Sequence, residues 1–216
     1  MFFYGGYRVK TIVYVDGFNL YFGALRGTAF KWLDIAQAAA LHLAAQHQII
    51  GIKYYTAKVN PRPSDPDQPL RQSLYLRALR TRPDCEIYYG HFLTKTVKMP
   101  LAYPVPGGPA TVDVIKTEEK GSDVNLATHL LHDAHLNLFD CAVVISGDSD
   151  LLEPVRIVMG ELHKPVGVLN PQKHPCAVLK RQATFYKHMH PGRLAQSQFP
   201  TRLTDAQGTF HKPASW

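Results

Sequence analysis

Three short motifs of this chain carry aspartates at positions that could bind a cation. Asp16 stands in the sequence DGFN, Asp123 in EEKGSDV, and Asp148 and Asp150 in SGDSD. Carboxylate oxygens are the ligands that hard cations such as Mg²⁺ and Mn²⁺ prefer, and the protein usually supplies only some of the ligands. Such an ion lowers the pKa of a bound water and stabilises charge on a phosphate that is being cleaved. If the three motifs meet, they indicate metal-assisted hydrolysis.

Two of the motifs directly follow segments that read as buried strands. Residues 11–15 (TIVYV) precede Asp16, and residues 141–145 (CAVVI) precede the SGDSD motif. Both runs are apolar or aromatic almost throughout, which is typical of parallel strands covered on both faces. Functional residues of open parallel sheets lie beyond the carboxyl ends of central strands. We therefore expect Asp16, Asp148 and Asp150 at one edge of a sheet.

Each motif also has a structural explanation. Asp16 precedes a glycine, as in many turns, and Asn19 could cap a helix. Asp123 falls in the first turn of a predicted helix, where the dipole favours an anion, and Asp150 has capping-box spacing to Glu153. Capping explains one aspartate of SGDSD but not both. Because crowded carboxylates repel each other unless a cation or a shared proton is present, three acidic connections together favour a metal site.

The rest of the chain alternates between predicted strands and helices, which predicts an α/β fold with a central, mainly parallel sheet. The predicted helices are 33–48, 70–80 and 122–135, and the further predicted strands include 51–59, 86–93 and 165–169. A proline-rich insertion at about 95–117 breaks this pattern, as loop or irregular hairpin. We expect one domain over residues 1–190. The polar C-terminal tail, 191–216, either hangs loose or packs as an arm.

In this order and with these separations, the motifs DGFN, EKGSDV and SGDSDL resemble those of NYN domains, which belong to the PIN-like nuclease superfamily. The resemblance covers roughly Lys10 to Leu169. It implies a Rossmann-like three-layer sandwich with a strand order of about 3-2-1-4-5. It also implies an acidic pocket that binds Mg²⁺ or Mn²⁺ and hydrolyses RNA phosphodiester bonds. The proline-rich insertion is not part of the family core.

Carried over position by position, the resemblance gives metal-binding and catalytic roles to four carboxylates, Asp16, Asp123, Asp148 and Asp150. The supporting positions, and the further polar residues of the same motifs, are Asn19, Glu119, Lys120, Ser146 and Ser149. One departure concerns the helix after EKGSD, where many relatives carry a further aspartate about where Thr128 and His129 stand here. If that acid helps to hold metal, this chain binds metal more weakly or lacks a second ion.

The formal net charge of +7 favours a polyanionic partner. Between residues 53 and 98, nine lysines and arginines stand against four acids. A basic surface around an acidic centre suits RNA, either single-stranded or structured, although a charge of this size could also serve solubility alone. Four tyrosines could stack on bases, but tyrosines in predicted strands are more often core residues. These are Tyr54, Tyr55, Tyr88 and Tyr89.

The cysteines Cys85, Cys141 and Cys176 are widely spaced and odd in number, as expected for reduced thiols in the cytoplasm. No apolar run approaches the roughly 18 residues that cross a bilayer. The beginning, MFFYGGYRVK, lacks the pattern of a secretory signal. We therefore expect a cytoplasmic protein without a membrane partner. The sequence leaves open whether the chain forms a homodimer.

Taken together, these patterns predict a metal-dependent endoribonuclease. The alternative is a non-catalytic RNA-binding or regulatory module that keeps the fold and has lost effective metal binding. A phosphatase of the haloacid-dehalogenase type is disfavoured, because that chemistry needs a second aspartate two residues after the nucleophile. Phe18 stands at that position after Asp16.

Overall fold

The structure is a computed structural model that describes residues 8–104 and 106–216. Residues 1–7 lie outside the described residues. The expectation that the chain has no secretory signal rests mostly on these residues. Every helix within the described ranges is too short or too polar to cross a membrane.

A six-stranded parallel sheet forms the centre of the molecule, with the strand order β3-β2-β1-β6-β7-β8. Its strands are β1 (Val9–Asp16), β2 (His47–Thr56), β3 (Cys85–Tyr89), β6 (Cys141–Ile145), β7 (Val166–Asn170) and β8 (Phe185–His188). The two strands between β3 and β6 form a separate hairpin. When only the strands of this sheet are numbered, the order is 3-2-1-4-5-6, which confirms the predicted Rossmann-like fold and adds a sixth strand.

Helices cover both faces of the sheet because β1 and β6 are apolar on both faces. Val13 and Val15 of β1 belong to one core cluster, and Ile12 and Tyr14 belong to the other. All five residues of β6 are at most 2% exposed. Central parallel strands of this kind can only exist between two layers of helices.

The helices predicted from the sequence over 33–48, 70–80 and 122–135 are all present, and the structure also has short helices at 17–20 and 191–196 that the sequence pattern does not predict. They are α1 (Gly17–Leu20, continued by a π-helical turn, Tyr21–Leu25), α2 (Ile35–His42), α3 (Gln68–Arg80), α4 (Ser122–His135), α5 (Leu152–Gly160), α6 (Ala177–Gln182) and α7 (Pro191–Gln196). The helix predicted over 33–48 ends at His42, so its predicted end is wrong. The reason lies in tertiary pairing, since His47 already pairs with Val9 as β2 begins beside β1.

The proline-rich insertion forms a regular antiparallel hairpin that is longer than the predicted 95–117. Its strands are β4 (His91–Pro100) and β5 (Thr111–Lys120), paired from His91–Lys120 to Pro100–Thr111. The prolines lie at its outer end, where no ladder hydrogen bond is needed. At its base Phe92 pairs with Glu119, so this hairpin brings Glu119 back to the carboxyl edge of the sheet.

The segment after residue 190 packs on the domain. It contains α7 and a short hairpin of β9 (Arg202–Asp205) and β10 (Gly208–His211). Phe199, Phe210 and Trp216 surround the buried ring of Trp32 at centroid distances of 6.2, 6.4 and 6.3 Å. Of the two arrangements that the sequence allowed for this tail, the structure adopts the packed arm.

Phe210→Ala should lower the free energy of unfolding by about 3 kcal/mol, because a buried aromatic ring is removed and a cavity is left. Phe210 is 5% exposed and also stacks under the guanidinium of Arg77. Urea denaturation measures this difference. Thr201→Ala, at an exposed position of the same segment, serves as the control. Equal stability of the two variants would mean that the arm contributes no packing energy.

Candidate active site

Asp16 is buried at the point where β1 ends next to β6. Its carboxylate accepts hydrogen bonds from the backbone N–H of Asn19 (2.9 Å) and from the hydroxyl of Ser146 (3.0 Å). Ser146 is the first residue after β6, and it reaches Asp16 because Val15 and Ile145 are paired. Gly17 is required at this point, since a Cβ atom there would lie 2.7 Å from the Tyr54 hydroxyl. The chain therefore holds Asp16 in one fixed position.

Asn19 links the ends of three strands that are neighbours in the sheet, β1, β6 and β7. Its side-chain oxygen accepts from the backbone N–H of Gly147 (2.9 Å) and from the amide of Gln172 (2.9 Å). Gln172 follows β7, and its own N–H donates to Asn170. This network fixes the loops after β1, β6 and β7 relative to each other, and the supporting role that the resemblance implies for Asn19 at a catalytic site stays a prediction.

Glu119 reaches the same place from the end of β5, and Asp123 reaches it from the start of α4. Glu119 accepts from the hydroxyl (2.6 Å) and the backbone N–H (3.2 Å) of Ser122, so it also caps this helix. Gly121 precedes the helix with a φ of 100°, a conformation that glycine adopts without strain. Asp123 lies in the first turn, where the helix dipole favours a negative charge.

Asp148 and Asp150 differ in exposure. Asp148 is half-buried, and its side chain accepts from the backbone N–H of Asp150 (3.0 Å), which starts a 3₁₀ turn at Ser149–Leu151. Asp150 is exposed on the outer side of this turn. The capping explanation therefore applies to Asp148, and Asp150 stands nearer to solvent than the sequence suggested.

A cavity of about 760 Å³ opens at this edge of the sheet. Of the four predicted ligands, it is lined by Asp16, Asp123 and Asp148 and not by Asp150. Asn19 and Glu119 also line it, whereas Ser146 is buried behind Asp16. Lys120 and Ser149 are exposed and lie outside it. The structure thus brings together three of the four carboxylates, and the role of Asp150 stays a prediction.

The carboxylates of the cavity repel one another. Burial raises the pKa of Asp16 to about 6, and the negative charges of Asp123 and Asp148 add to this effect against the hydrogen bonds of Asn19 and Ser146. The pKa of Asp123 is raised by burial and then by Asp148, Glu119 and Asp150. Within the described residues, none of these five acids forms an ion pair. The site therefore concentrates negative charge that the protein itself does not neutralise.

Comparison with known proteins agrees with this arrangement. The family model of the NYN domain matches residues 10–189, which is most of the chain. The chain belongs to the NYN domain family. This match confirms the resemblance seen in the three motifs. The NYN family is nuclease-like.

Two further proteins are similar to this NYN domain. The 6-hydroxy-3-succinoylpyridine 3-monooxygenase HspA of Pseudomonas putida is 28% identical, and the match covers 96% of this chain and 75% of that protein. A crystal structure of VPA0982 from Vibrio parahaemolyticus, a protein of unknown function, superimposes with a TM-score of 0.57 at 17% identity. The superposition covers 86% of this chain and 96% of the Vibrio protein, and this similarity supports the fold alone.

The position at which this NYN domain departs from the sequence pattern of its relatives lies outside the cavity. Thr128 is exposed. His129 accepts or donates a hydrogen bond at the hydroxyl of Tyr55 (3.1 Å), and its ring lies 4.3 Å from that of Tyr88. These tyrosines, which the sequence suggested as base-stacking residues, stack on each other on the α4 side of the sheet. Thr128 and His129 therefore lie on a neighbouring surface and do not line the cavity.

Sequence reasoning missed several residues of the cavity. Gln172 obeys the same rule as the aspartates, because it follows the end of a buried strand, and this signal could have found it. Tyr75 and Trp216 come from α3 and from the C-terminal arm. The positions of these two residues at the cavity depend on how distant segments pack, and no local sequence pattern predicts them.

Asp16→Asn should stabilise the metal-free protein at pH 8 by up to about 3 kcal/mol, because burial and the neighbouring carboxylates raise the pKa of Asp16 from 3.8 to about 6 in the folded protein. A carboxyl whose folded pKa is raised contributes stability that is complete below pH 3.8 and is lost as the pH rises through about 6. The advantage of Asp16→Asn should therefore shrink below pH 6 and vanish near pH 4.

Urea denaturation in EDTA at pH 8, 6 and 4 measures this difference. Asp113→Asn, at an exposed position on the β4–β5 hairpin, is the matched control and should leave stability unchanged. A wild-type protein that is more stable than Asp16→Asn at pH 8 would contradict the argument from burial and repulsion.

Proposed function

We propose that this protein is a metal-dependent endoribonuclease that hydrolyses RNA phosphodiester bonds at the Asp16, Asp123 and Asp148 cluster. The observation that carries the proposal is the convergence of these carboxylates on one cavity, with raised pKa values for Asp16 and Asp123 and no ion pair among the described residues. The nuclease-like character of the NYN family supports it.

The donor set fits a hard divalent cation such as Mg²⁺ or Mn²⁺, because every candidate ligand is an oxygen. Among the described residues, no group of three or more acids, histidines or cysteines is compact enough to enclose an ion. Mg²⁺ usually keeps several of its waters and is bound through one or two carboxylates. The proposal is therefore an open site in which the cation keeps several of its waters.

Each residue then has a defined task. Asp16 and Asp148 would hold the cation, and Asp123 would hold it or orient the attacking water. The bound cation would supply Lewis acidity toward the scissile phosphate. Ser146 and Asn19 keep Asp16 in place, while Glu119 fixes the start of α4 and with it the position of Asp123.

The basic stretch over 53–98 supplies fewer free cations than its composition suggests. Four of its nine basic residues form ion pairs within the fold: Lys53, Arg71, Arg77 and Arg82. Arg62 lines the cavity and has no ion pair within the described residues. We therefore assign the flanking phosphates of RNA to Arg62 and to exposed lysines of the neighbouring hairpin, and such contacts are weakened by salt.

Asp148→Asn should abolish Mn²⁺-dependent cleavage of a mixed RNA panel while RNA binding is retained. The amide keeps the oxygen that caps the 3₁₀ turn and removes the charge that the cation needs. Cleavage with and without EDTA is measured for the wild type, for Asp148→Asn and for the control Asp113→Asn. Unchanged turnover of a folded Asp148→Asn protein would overturn the proposal.

Calorimetric titration with Mn²⁺ separates the nuclease from a non-catalytic RNA-binding module with the same fold. The nuclease proposal requires saturable Mn²⁺ binding that Asp16→Asn and Asp148→Asn each weaken, because carboxylates are the ligands. The same titration of Asp150→Asn tests the exposed fourth acid. RNA binding without any carboxylate-dependent Mn²⁺ binding would favour the non-catalytic module.

A second candidate function, oxygenation of an aromatic compound, is favoured by the similarity to the pyridine monooxygenase over 96% of the chain and by the aromatic side chains in the cavity. One oxygen atom of O₂ would enter the ring and the other would leave as water, with NADH as the two-electron donor. Equimolar consumption of O₂ and NADH that depends on 6-hydroxy-3-succinoylpyridine would support this candidate. Its absence, beside RNA cleavage, would eliminate it.

A further inference from the structure

The hydroxyl group of Tyr54 points to a ligand that the carboxylates alone do not explain. Tyr54 is 6% exposed and lines the cavity, and its hydroxyl lies next to Gly17, beside Asp16. Within the described residues this hydroxyl forms no hydrogen bond, although tyrosine hydroxyls of largely buried residues usually find a partner. A hydroxyl without a protein partner on a residue that lines a cavity is available for a molecule that enters it.

Aromatic side chains extend the cavity away from the acids. The ring of Tyr54 packs against Tyr75 at 6.3 Å, and Tyr75 packs against Trp216 at 6.0 Å. Leu25 is buried and lines the same space. We call the space bounded by these four residues the aromatic chamber. Its walls are flat and apolar, as in sites that bind planar rings.

A positive charge stands next to Trp216 at the aromatic chamber. The ammonium group of Lys31 lies 5.9 Å from the ring centre of Trp216 and lines the cavity, and Lys31 has no ion pair within the described residues. Arg71, by contrast, is already paired with Asp65 at 2.6 Å. An anionic ligand would therefore be oriented with its charge toward Lys31 and away from Asp16.

We propose that the aromatic chamber binds one planar aromatic ring that carries an anionic group. The ring would lie against Tyr75 and Trp216, a polar atom of the ligand would bind the Tyr54 hydroxyl, and the anion would pair with Lys31. This inference deepens the proposed function, because it names the group that lies beside the scissile phosphate. The version in which the ligand is a nucleic acid rests on the proposed function. Ring binding itself requires neither the cation nor cleavage.

This chemistry has two sources. An unpaired nucleotide of RNA brings a base and a phosphate, and base–aromatic stacking contributes about 1–3 kcal/mol per base. A free aromatic carboxylate brings the same two features in a small molecule. The volume of the whole cavity is in the range that holds either ligand.

Calorimetric titrations in EDTA distinguish these sources and test the chamber. Uridine 5′-monophosphate is compared with inorganic phosphate, and 3-phenylpropionate is compared with propionate. At least one ring-bearing anion should bind about tenfold more tightly than its ringless counterpart, from roughly one stacked ring. Preference for the nucleotide identifies RNA as the source, and preference for the carboxylate identifies a small molecule.

Tyr54→Phe and Lys31→Met link binding to the chamber. Tyr54→Phe keeps the ring and removes an unpartnered hydroxyl, so the fold should be as stable as before, and affinity should fall about three- to tenfold. Lys31→Met should weaken binding about tenfold by removing the charge. The controls are Tyr89→Phe and, at an exposed lysine of α6, Lys180→Met, and both positions lie outside the cavity.

Two results would overturn the inference: equal affinity for the ringless anions in both pairs, or ring binding that neither Tyr54→Phe nor Lys31→Met weakens. Asp148→Asn should lose cleavage and keep ring binding. Cleavage of RNA by a wild-type protein that binds no ring would therefore contradict the chamber alone, and ring binding by a wild-type protein that does not cleave RNA would contradict the proposed function alone.

Discussion

Val15 of β1 lies opposite Ile145 of β6, and most of the site depends on this parallel pairing. It places Asp16 beside Ser146 in the interior of the sheet edge, where water cannot solvate a charge well. The fold then adds Asp123 and Asp148 to the same cavity, and repulsion is added to burial. A protein that maintains such an arrangement gives up stability in the absence of a cation, which is a common feature of functional sites.

The centre of the fold was predictable because it follows from local pattern. The two apolar runs can only be covered parallel strands, and the aspartates after them therefore lie at one edge. The end of α2 was not predictable in the same way. Residues 43–48 continue a helical composition, but His47 and Gln48 pair with β1, and this pairing between distant segments overrides local propensity.

Within the site, the sequence identified charges better than it identified surroundings. Asp16, Asp123 and Asp148 were found from type and spacing. The exposure of Asp150 depends on the 3₁₀ turn that Asp148 caps, and the residue pattern of this segment does not predict that turn. Tyr75 and Trp216 enter through α3 and the C-terminal arm, so their presence at the cavity follows only from the complete packing around Trp32.

The pairing of β4 with β5 limits how the length of this hairpin can change during evolution. Its base must keep Phe92 opposite Glu119, while its outer half carries exposed residues on both faces. Removal of one residue from a single strand would leave an unmatched residue opposite it and disturb the cross-strand pairing of the outer half relative to the base. Removal of one residue from each strand would keep the pairs matched. Relatives whose β4–β5 hairpin is shorter or longer should therefore differ from this chain by an even number of residues in the two strands together, apart from changes in the turn itself.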